Sequence, residues 1–195
     1  MIQNNENPPL SDIQEQLLDR EELFSGHFLH VWCDTVKTAS NLIRTREYIR
    51  HPGAAVIVPV FEDGSVLLEY QWRQPCEMAF WELPAGKLDP EEDPFVCAQR
   101  ELSEETGLIA DEWHYLGKIH NAIGYSNEHL EIYLAKRLTQ GKQHLDPGEC
   151  LSLHRFSLSQ ALQMMANGEI TDVKTIIGLM WAERFLKNEW PLKTP

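Results

Sequence analysis

A continuous apolar run at residues 54–60 is the feature that most constrains how this chain can fold. A series of Ala, Val and Ile, with Pro59 as the one other residue, is typical of a β-strand that is buried on both faces. The next apolar segment, residues 65–73, alternates instead, as a strand with two different faces does. One of its faces carries Val66, Leu68, Tyr70 and Trp72, and the other carries Leu67, Glu69, Gln71 and Arg73.

The elements that follow suggest a layered domain. Asp93-Pro94 has the pattern of a helix N-cap followed by proline, and Gly107 is the usual residue just past a helix C-terminus, so we expect a helix between them. Strands are expected at about 113–120 and 129–136, and helices at 157–167 and 172–186. The order of strands, helix, strands and helices predicts a mixed α/β sandwich.

The N-terminal quarter of the chain differs in character. Residues 1–20 are predicted to be a flexible tail with a short helix, because the first ten are polar and Ser11 with Gln14 has capping-box spacing. Residues 21–51 favour β-structure and are expected to form a small β subdomain. A sheet of this size cannot bury a core alone, so it must pack against something. His51-Pro52-Gly53 marks the expected boundary with a main domain at 52–195.

The net charge and the composition of the chain restrict the classes of partner that it is expected to bind. The formal net charge is -13, from 17 Lys and Arg against 30 Asp and Glu, and such a surface repels nucleic acid. The N-terminus lacks the basic and apolar stretches of a signal peptide, and no apolar run approaches the roughly 20 residues of a membrane span. The 4 cysteines lack zinc-ligand spacing. We therefore expect a cytoplasmic protein without nucleic-acid or membrane partners.

Three glutamates mark the expected central helix. Glu101, Glu104 and Glu105 stand at i, i+3 and i+4, a spacing that projects their carboxylates from one face. We expect Glu105 to lie on an exposed part of that face. Carboxylates so close repel, and a bound cation such as Mg²⁺, which prefers oxygen ligands, would remove the repulsion. The alternative is an ordinary solvated acidic face.

An arginine within the same helix suggests how the cluster is organised. Arg100 lies in sequence between these glutamates and Glu92. We expect it to pair with Glu92 and Glu104, bracing the preceding loop and orienting a ligand. Arg100 and Glu92 are therefore counted with the candidate catalytic residues.

The complete pattern around the cluster resembles a known family motif. From Gly86 the sequence runs through Glu92, Arg100-Glu101-Leu102 and Glu104-Glu105 to Gly107-Leu108, with the spacing of the Nudix box. Members of the Nudix family hydrolyse a diphosphate linked to another moiety and use a divalent metal. The resemblance implies a Nudix-type α/β/α sandwich with a mixed sheet and a Mg²⁺ cofactor, for which Mn²⁺ could substitute.

Further segments look like the ADP-ribose pyrophosphatase branch of that family. They are Gln71-Trp72-Arg73, the Trp81–Gly86 stretch, Gly124–Glu128 and Asp172–Ile176. In that branch the protein is typically a homodimer, in which a small N-terminal sheet crosses to the partner and helps bind its substrate. Ile123 departs from the branch, which usually has proline there, so the sugar preference stays open.

The resemblance also implies roles for individual residues. Glu101 and Glu105 would bind the metal, Glu104 would be a further ligand, and the carbonyl oxygen of Ala85 would complete the site. Metal held there would offset the charge of the diphosphate and acidify a water.

Residues outside the helix would bind the substrate, and a carboxylate would take the proton from the attacking water. Arg73, Glu82 and Gly124 would contact substrate. Glu128 is the first candidate for the general base and a box glutamate, Glu104 included, is the second.

The preferred reading is hydrolysis of ADP-ribose to AMP and ribose 5-phosphate. The alternatives are a pyrophosphatase for GDP-mannose or another nucleoside diphosphate derivative, a non-catalytic ADP-ribose sensor, and an RNA-end pyrophosphohydrolase. The last should carry a basic surface, which this chain lacks.

Overall fold

The computed structural model describes residues 9–191, so most of the tail predicted at residues 1–10 lies outside the described part. The chain divides into two compact units. One, called here the N-terminal unit, comprises the residues up to His51 together with Ala122–Asn127. The other, the main unit, comprises Pro52–Asn121 and the residues from Glu128 onward.

The N-terminal unit is a three-stranded antiparallel sheet in the order β1-β2-β3. Its strands are β1 (Gln16–Ser25), β2 (His30–Lys37) and β3 (Ile43–Arg50). The helix predicted from Ser11 to about residue 20 is wrong, because these residues form a short 3-10 turn, Leu10–Asp12, and then the first part of β1. A capping box stabilises one end of a helix, whereas pairing along β2 satisfies the backbone of the whole strand.

The main unit supplies the remaining elements. Its strands are β4 (Ala54–Pro59), β5 (Ser65–Arg73), β6 (Met78–Glu82), β7 (Ala85–Lys87), β8 (Leu108–Ile119), β9 (Leu130–Gln140) and β10 (Leu151–Ser157). Its helices are α1 (Pro94–Thr106), α2 (Leu158–Ala166) and α3 (Val173–Leu186). One sheet has the order β7-β4-β9-β8, with β4 and β9 parallel, and the other has the antiparallel order β10-β5-β6.

Strand β4 lies at the centre of the main unit, and the prediction that it is buried on both faces is confirmed. Ala55 and Ile57 pack with α1 residues such as Leu102. Val56 and Val58 pack on the opposite side, in a core that includes residues of α2 and α3. Helices therefore cover both faces of a mixed sheet, which confirms the α/β/α sandwich.

Helix α1 has the ends that the sequence predicted. The Asp93 side chain accepts hydrogen bonds from the backbone N–H groups of Phe95 (2.8 Å) and Val96 (3.4 Å). Gly107 follows the last turn with φ 70, a left-handed conformation that costs glycine little. These caps fix the position of the glutamate-bearing helix along the chain. Within residues 9–191, no helix combines the length and the apolar character that a membrane crossing requires.

Candidate metal and substrate site

The three glutamates of α1 lie at different depths. The side chain of Glu104 is 42% exposed and that of Glu101 is 13% exposed, whereas Glu105 as a residue is only 6% exposed. The expectation that Glu105 lies on an exposed face is therefore wrong. Glu105 follows Leu102 by three positions and Ala98 by seven, so it belongs to the stripe of α1 that faces the core.

The Glu105 carboxylate has a polar partner on the neighbouring loop. The backbone N–H of Ala85 donates to Glu105 Oε2 at 2.9 Å. Burial raises the pKa of Glu105, and the nearby carboxylates of Glu69, Glu101 and Glu149 raise it further. No cationic side chain of the described residues forms an ion pair with Glu105. A positive charge supplied from outside would therefore be stabilised here.

Glu69, on strand β5, is a member of this cluster that the sequence reasoning missed. It is 2% exposed, and its Oε1 atom is buried without a hydrogen-bond partner among the described residues. Burial raises its pKa; Lys174 opposes that shift, while Glu149 and Glu82 add to it. The signal was present in the sequence, because Glu69 shares a strand face with the apolar Leu67.

The loop between β6 and β7 is held by hydrogen bonds from several elements. The Leu83 N–H donates to Thr175 Oγ1 at 2.8 Å, and the Thr175 hydroxyl donates to Asp172 Oδ2 at 2.6 Å. The Ile57 N–H donates to the Pro84 carbonyl at 2.9 Å. These bonds fix the backbone just before Ala85, the residue that contacts Glu105.

The position of the Glu101 side chain requires glycine at residue 86. A Cβ atom on residue 86 would overlap the carboxyl group of Glu101. The absence of a side chain therefore allows the loop to lie directly against α1. Close approach of this kind is a common reason for glycine at a site.

Arg100 forms the ion pairs that the sequence predicted. Its Nε and Nη2 atoms donate to the two oxygens of Glu92, each at 2.9 Å, and Nη1 donates to Glu104 Oε2 at 3.0 Å. It also donates to Glu101 Oε1 at 2.7 Å and to the Lys87 carbonyl at 3.1 Å. The Arg100 hydrogen bonds lower the pKa of Glu92 to about 2. Arg100 thus joins the loop to two carboxylates of α1.

The two predicted substrate residues of the β5–β6 pair contact each other. Arg73 donates from Nε and Nη2 to Glu82 Oε1 and Oε2, at 2.7 and 2.8 Å. Lys174 contacts Glu82 and also Asp172 Oδ2, the latter at 3.0 Å. Burial opposes ionisation of Glu82, but these cations outweigh it and lower its pKa. Lys174 and Asp172 contact Glu82 and Lys174 respectively, although neither is predicted from the sequence to have an individual role.

Glu128 and Gly124, which the sequence also predicts as site residues, lie in different compact units. Glu128 accepts a hydrogen bond from Asn121 Nδ2 at 2.9 Å. The carboxylates that act most strongly on Glu105 are Glu69, Glu101 and Glu149 rather than Glu128. Gly124 belongs to the N-terminal unit, with no atom within 4 Å of the position that a Cβ would take. The roles expected for Glu128 and Gly124 stay predictions.

The donor set fits a divalent cation, although the carboxylates do not converge as a finished site. Within residues 9–191, no three Asp, Glu, His or Cys side chains are arranged to hold a metal ion. Arg100 contributes to this lack of convergence, because its guanidinium binds the carboxylates of Glu101 and Glu104. The buried carboxylate of Glu105 and the unpaired Oε1 of Glu69 supply the oxygen atoms that Mg²⁺ prefers.

Comparison with known proteins gives the family. A family profile described as the NUDIX domain matches residues 50–175. The methanol dehydrogenase activator of Bacillus methanolicus is 33% identical over 172 residues, covering 87% of this chain and 93% of that protein. The ADP-ribose pyrophosphatase of Bacillus subtilis is 29% identical over 176 residues, with 89% and 95% covered. A GDP-mannose pyrophosphatase of Yersinia enterocolitica is 28% identical over 183 residues, with 89% and 95% covered.

A solved structure supports the fold. The crystal structure of an ADP compounds hydrolase superposes with a TM-score of 0.82 at 22% identity, covering 90% of this chain and 96% of that one. The family match extends over more than half of this chain and includes all of α1. The chain belongs to the NUDIX family and is a Nudix hydrolase.

Proposed function

We propose that this hydrolase cleaves the pyrophosphate bond of a nucleoside diphosphate sugar in a reaction that depends on a divalent metal. The proposed substrate is ADP-ribose, and the products are AMP and ribose 5-phosphate. The observation that carries the proposal is the buried Glu105 carboxylate, which lies among other carboxylates and forms no ion pair with a cationic side chain of residues 9–191. Such an arrangement is costly unless a cation completes it.

The residues that would hold Mg²⁺, or Mn²⁺ in its place, are Glu101, Glu104, Glu105 and the carbonyl oxygen of Ala85. Bound there, the cation would offset the negative charge of the diphosphate and lower the pKa of a water. The Ala85 N–H already orients one oxygen of Glu105. Arg100 orients Glu101 and Glu104, and Glu92 in turn orients Arg100.

The proton of the attacking water needs a carboxylate within hydrogen-bond reach. Glu128 is the first candidate for this base, with its Oε2 atom oriented by Asn121. Glu104 is the second, because its side chain is 42% exposed and so open to solvent. Replacing each by glutamine and comparing the pH profiles of kcat would distinguish the two.

Arg73, Glu82 and Gly124 are the proposed substrate contacts. The described hydrogen bonds of Arg73 use Nε and Nη2, so Nη1 is directed to no acceptor among the described residues. The bidentate pair with Glu82 holds the guanidinium plane, which suits it to bind a phosphate or ribose oxygen. Lys174, also bound to Glu82, adds positive charge beside it.

A homodimer formed through residues 21–51 is part of the proposal. Strand β1 is exposed along its whole length, and its apolar residues include Leu23 and Phe24, which are 51% and 56% exposed. An exposed apolar surface of this kind is typical of a protein interface. Light scattering at micromolar concentration should give the mass of a dimer, and a monomer mass would contradict this part. A cytoplasmic location is also part of the proposal.

Substitution of Glu105 tests the proposed chemistry. Glu105→Gln keeps the size of the side chain and removes its charge, so kcat should fall by a factor of about 10² or more. Glu62→Gln, in an exposed turn, is the matched control and should keep wild-type kcat. A Glu105→Gln variant with normal circular dichroism and near wild-type turnover would contradict the assignment of Glu105 as a metal ligand.

A substrate panel tests the sugar. ADP-ribose should have the highest kcat/KM among ADP-ribose, ADP-glucose, GDP-mannose, NADH and diadenosine polyphosphates. Sites that hydrogen-bond polar groups reject analogues that lack them. A preference for GDP-mannose or NADH would be consistent with pyrophosphate hydrolysis but would contradict the assignment of ADP-ribose as the substrate. Binding of ADP-ribose without turnover would support a sensor instead.

A further inference from the structure

We propose that Glu69, on strand β5, is an additional ligand of the cation that Glu105 binds. The inference rests on the proposed metal-dependent function and extends the ligand set to a residue outside the Gly86–Leu108 motif. It assigns a role to a buried carboxylate that the fold does not explain.

The burial of Glu69 is the first observation. The residue is 2% exposed, and Oε1 is buried with no hydrogen-bond partner among the described residues. Buried carboxylates in proteins are normally paired or bound to metal, because their desolvation is otherwise uncompensated. An unpaired oxygen at this depth therefore indicates a ligand that completes it.

The neighbouring cations are the second observation, because they are already engaged. Glu69 lies directly opposite Glu82 in the antiparallel β5–β6 pair, so the two side chains are neighbours on one face. Arg73 and Lys174 both bind Glu82. Lys174 binds Asp172 as well. Neither cation forms an ion pair with Glu69.

The direction of the side chain is the third observation. Glu69 shares its strand face with Leu67, two residues earlier, and Leu67 packs in one cluster with Ala98 and Leu102 of α1. Glu105 lies on that same face of α1. Glu69 and Glu105 are therefore both buried carboxylates on the sides of β5 and α1 that share this cluster.

The alternative is that Glu69 is only a buried structural residue. Both interpretations predict that Glu69→Gln is tolerated by the metal-free protein, since the amide has the same size and no charge to desolvate. They differ in what happens when cation is added. Only a ligand role predicts that the neutral variant binds the cation less tightly.

The test is calorimetric titration of the full-length protein with MgCl₂, and separately with MnCl₂, in the absence of substrate. We expect Glu69→Gln to weaken cation binding about tenfold or more, while its melting temperature without metal equals or exceeds that of wild type. The matched control is Glu131→Gln, another buried glutamate, which is bound by Lys118 and Tyr115. It should lose stability and keep wild-type cation affinity.

A second variant covers the case in which Glu69→Gln does not fold. Glu69→Asp keeps the charge but withdraws the oxygens by one methylene, so it should also weaken Mg²⁺ binding. Unchanged affinity in whichever of these two variants folds would overturn the proposal. If wild type hydrolyses its substrate and binds Mg²⁺ while the variants match it, only the role of Glu69 fails. If wild type neither binds a divalent cation nor hydrolyses any of the panel, the proposed function fails with it.

Discussion

Replacing Thr175 by valine removes the hydroxyl that holds the loop before Ala85 and leaves the volume of the side chain almost unchanged. Thr175 is fully buried, accepts from the Leu83 N–H at 2.8 Å and donates to Asp172 Oδ2 at 2.6 Å. In the Thr175→Val variant the Leu83 N–H has no acceptor, and Asp172 loses one donor. Because the shape is conserved, no cavity contributes to the effect.

The loss of stability follows from those two bonds. A buried donor left unsatisfied costs about 1–3 kcal/mol, and the second lost hydrogen bond adds about 1 kcal/mol. We therefore expect the free energy of unfolding to fall by about 2–4 kcal/mol, which for a chain of this size lowers Tm by about 4–16 °C. The loop also positions the Ala85 N–H on Glu105, so cation binding should weaken too.

Urea denaturation and thermal melting measure the first effect, and calorimetric titration with Mg²⁺ measures the second. Thr175→Ser is the matched control, because it keeps the hydroxyl and loses only a methyl group, at a cost of about 0.8 kcal/mol. Thr175→Val with stability equal to that of Thr175→Ser, and with wild-type Mg²⁺ affinity, would refute the view that this hydroxyl holds the site.

Three further substitutions probe the site from other sides. Gly86→Ala forces the Glu101 carboxylate away from the loop, so we expect Mg²⁺ affinity and kcat to fall together. A variant unchanged in both would show that the loop moves to accommodate the added methyl group. Because the pKa of Glu105 is raised in the folded state, the metal-free protein should lose stability as pH rises above the ordinary value of 4.5. Glu105→Gln should reduce that loss, and parallel curves of Tm against pH in EDTA for variant and wild type would contradict it. Arg73→Ala should raise KM more than it lowers kcat, since a contact to a non-reacting group binds ground and transition states alike; an equal fall in kcat and kcat/KM would argue for a role in the chemical step.

Much of the fold could be predicted because local signals and tertiary structure agree. The apolar run that became β4 is buried at all 6 positions. Helix α1 begins after Asp93 and ends before Gly107, where its capping residues predicted. Strong periodicity and caps are properties of short segments, and a single sequence records them directly.

Elements that depend on partners were harder to predict. Strands β6, β7 and β10 were not recognised, because they are short or polar and form by pairing with β5 or β4. The helix expected after Ser11 was replaced by β1 for the same reason. Pairing between distant segments leaves little trace in either segment alone.

The features of the site divide in the same way, into those set by local sequence and those set by the packing of distant segments. The spacing of Glu101, Glu104 and Glu105 and the ion pair between Arg100 and Glu104 follow from positions along one helix. The depth of Glu105 depends on which stripe of α1 packs against β4, so it was misjudged. Glu69 lies on another strand, and its proximity to Glu105 is a property of the packed sandwich.

We propose that the carboxylates of this site support metal-dependent cleavage of a sugar nucleotide at its pyrophosphate. The most direct measurement is to incubate the wild-type enzyme with ADP-ribose in Mg²⁺ or in excess EDTA and to identify the products by mass spectrometry. We expect AMP and ribose 5-phosphate in equal amounts with Mg²⁺, and intact ADP-ribose with EDTA. Equal product formation in EDTA, or cleavage at any bond other than the pyrophosphate, would contradict the account.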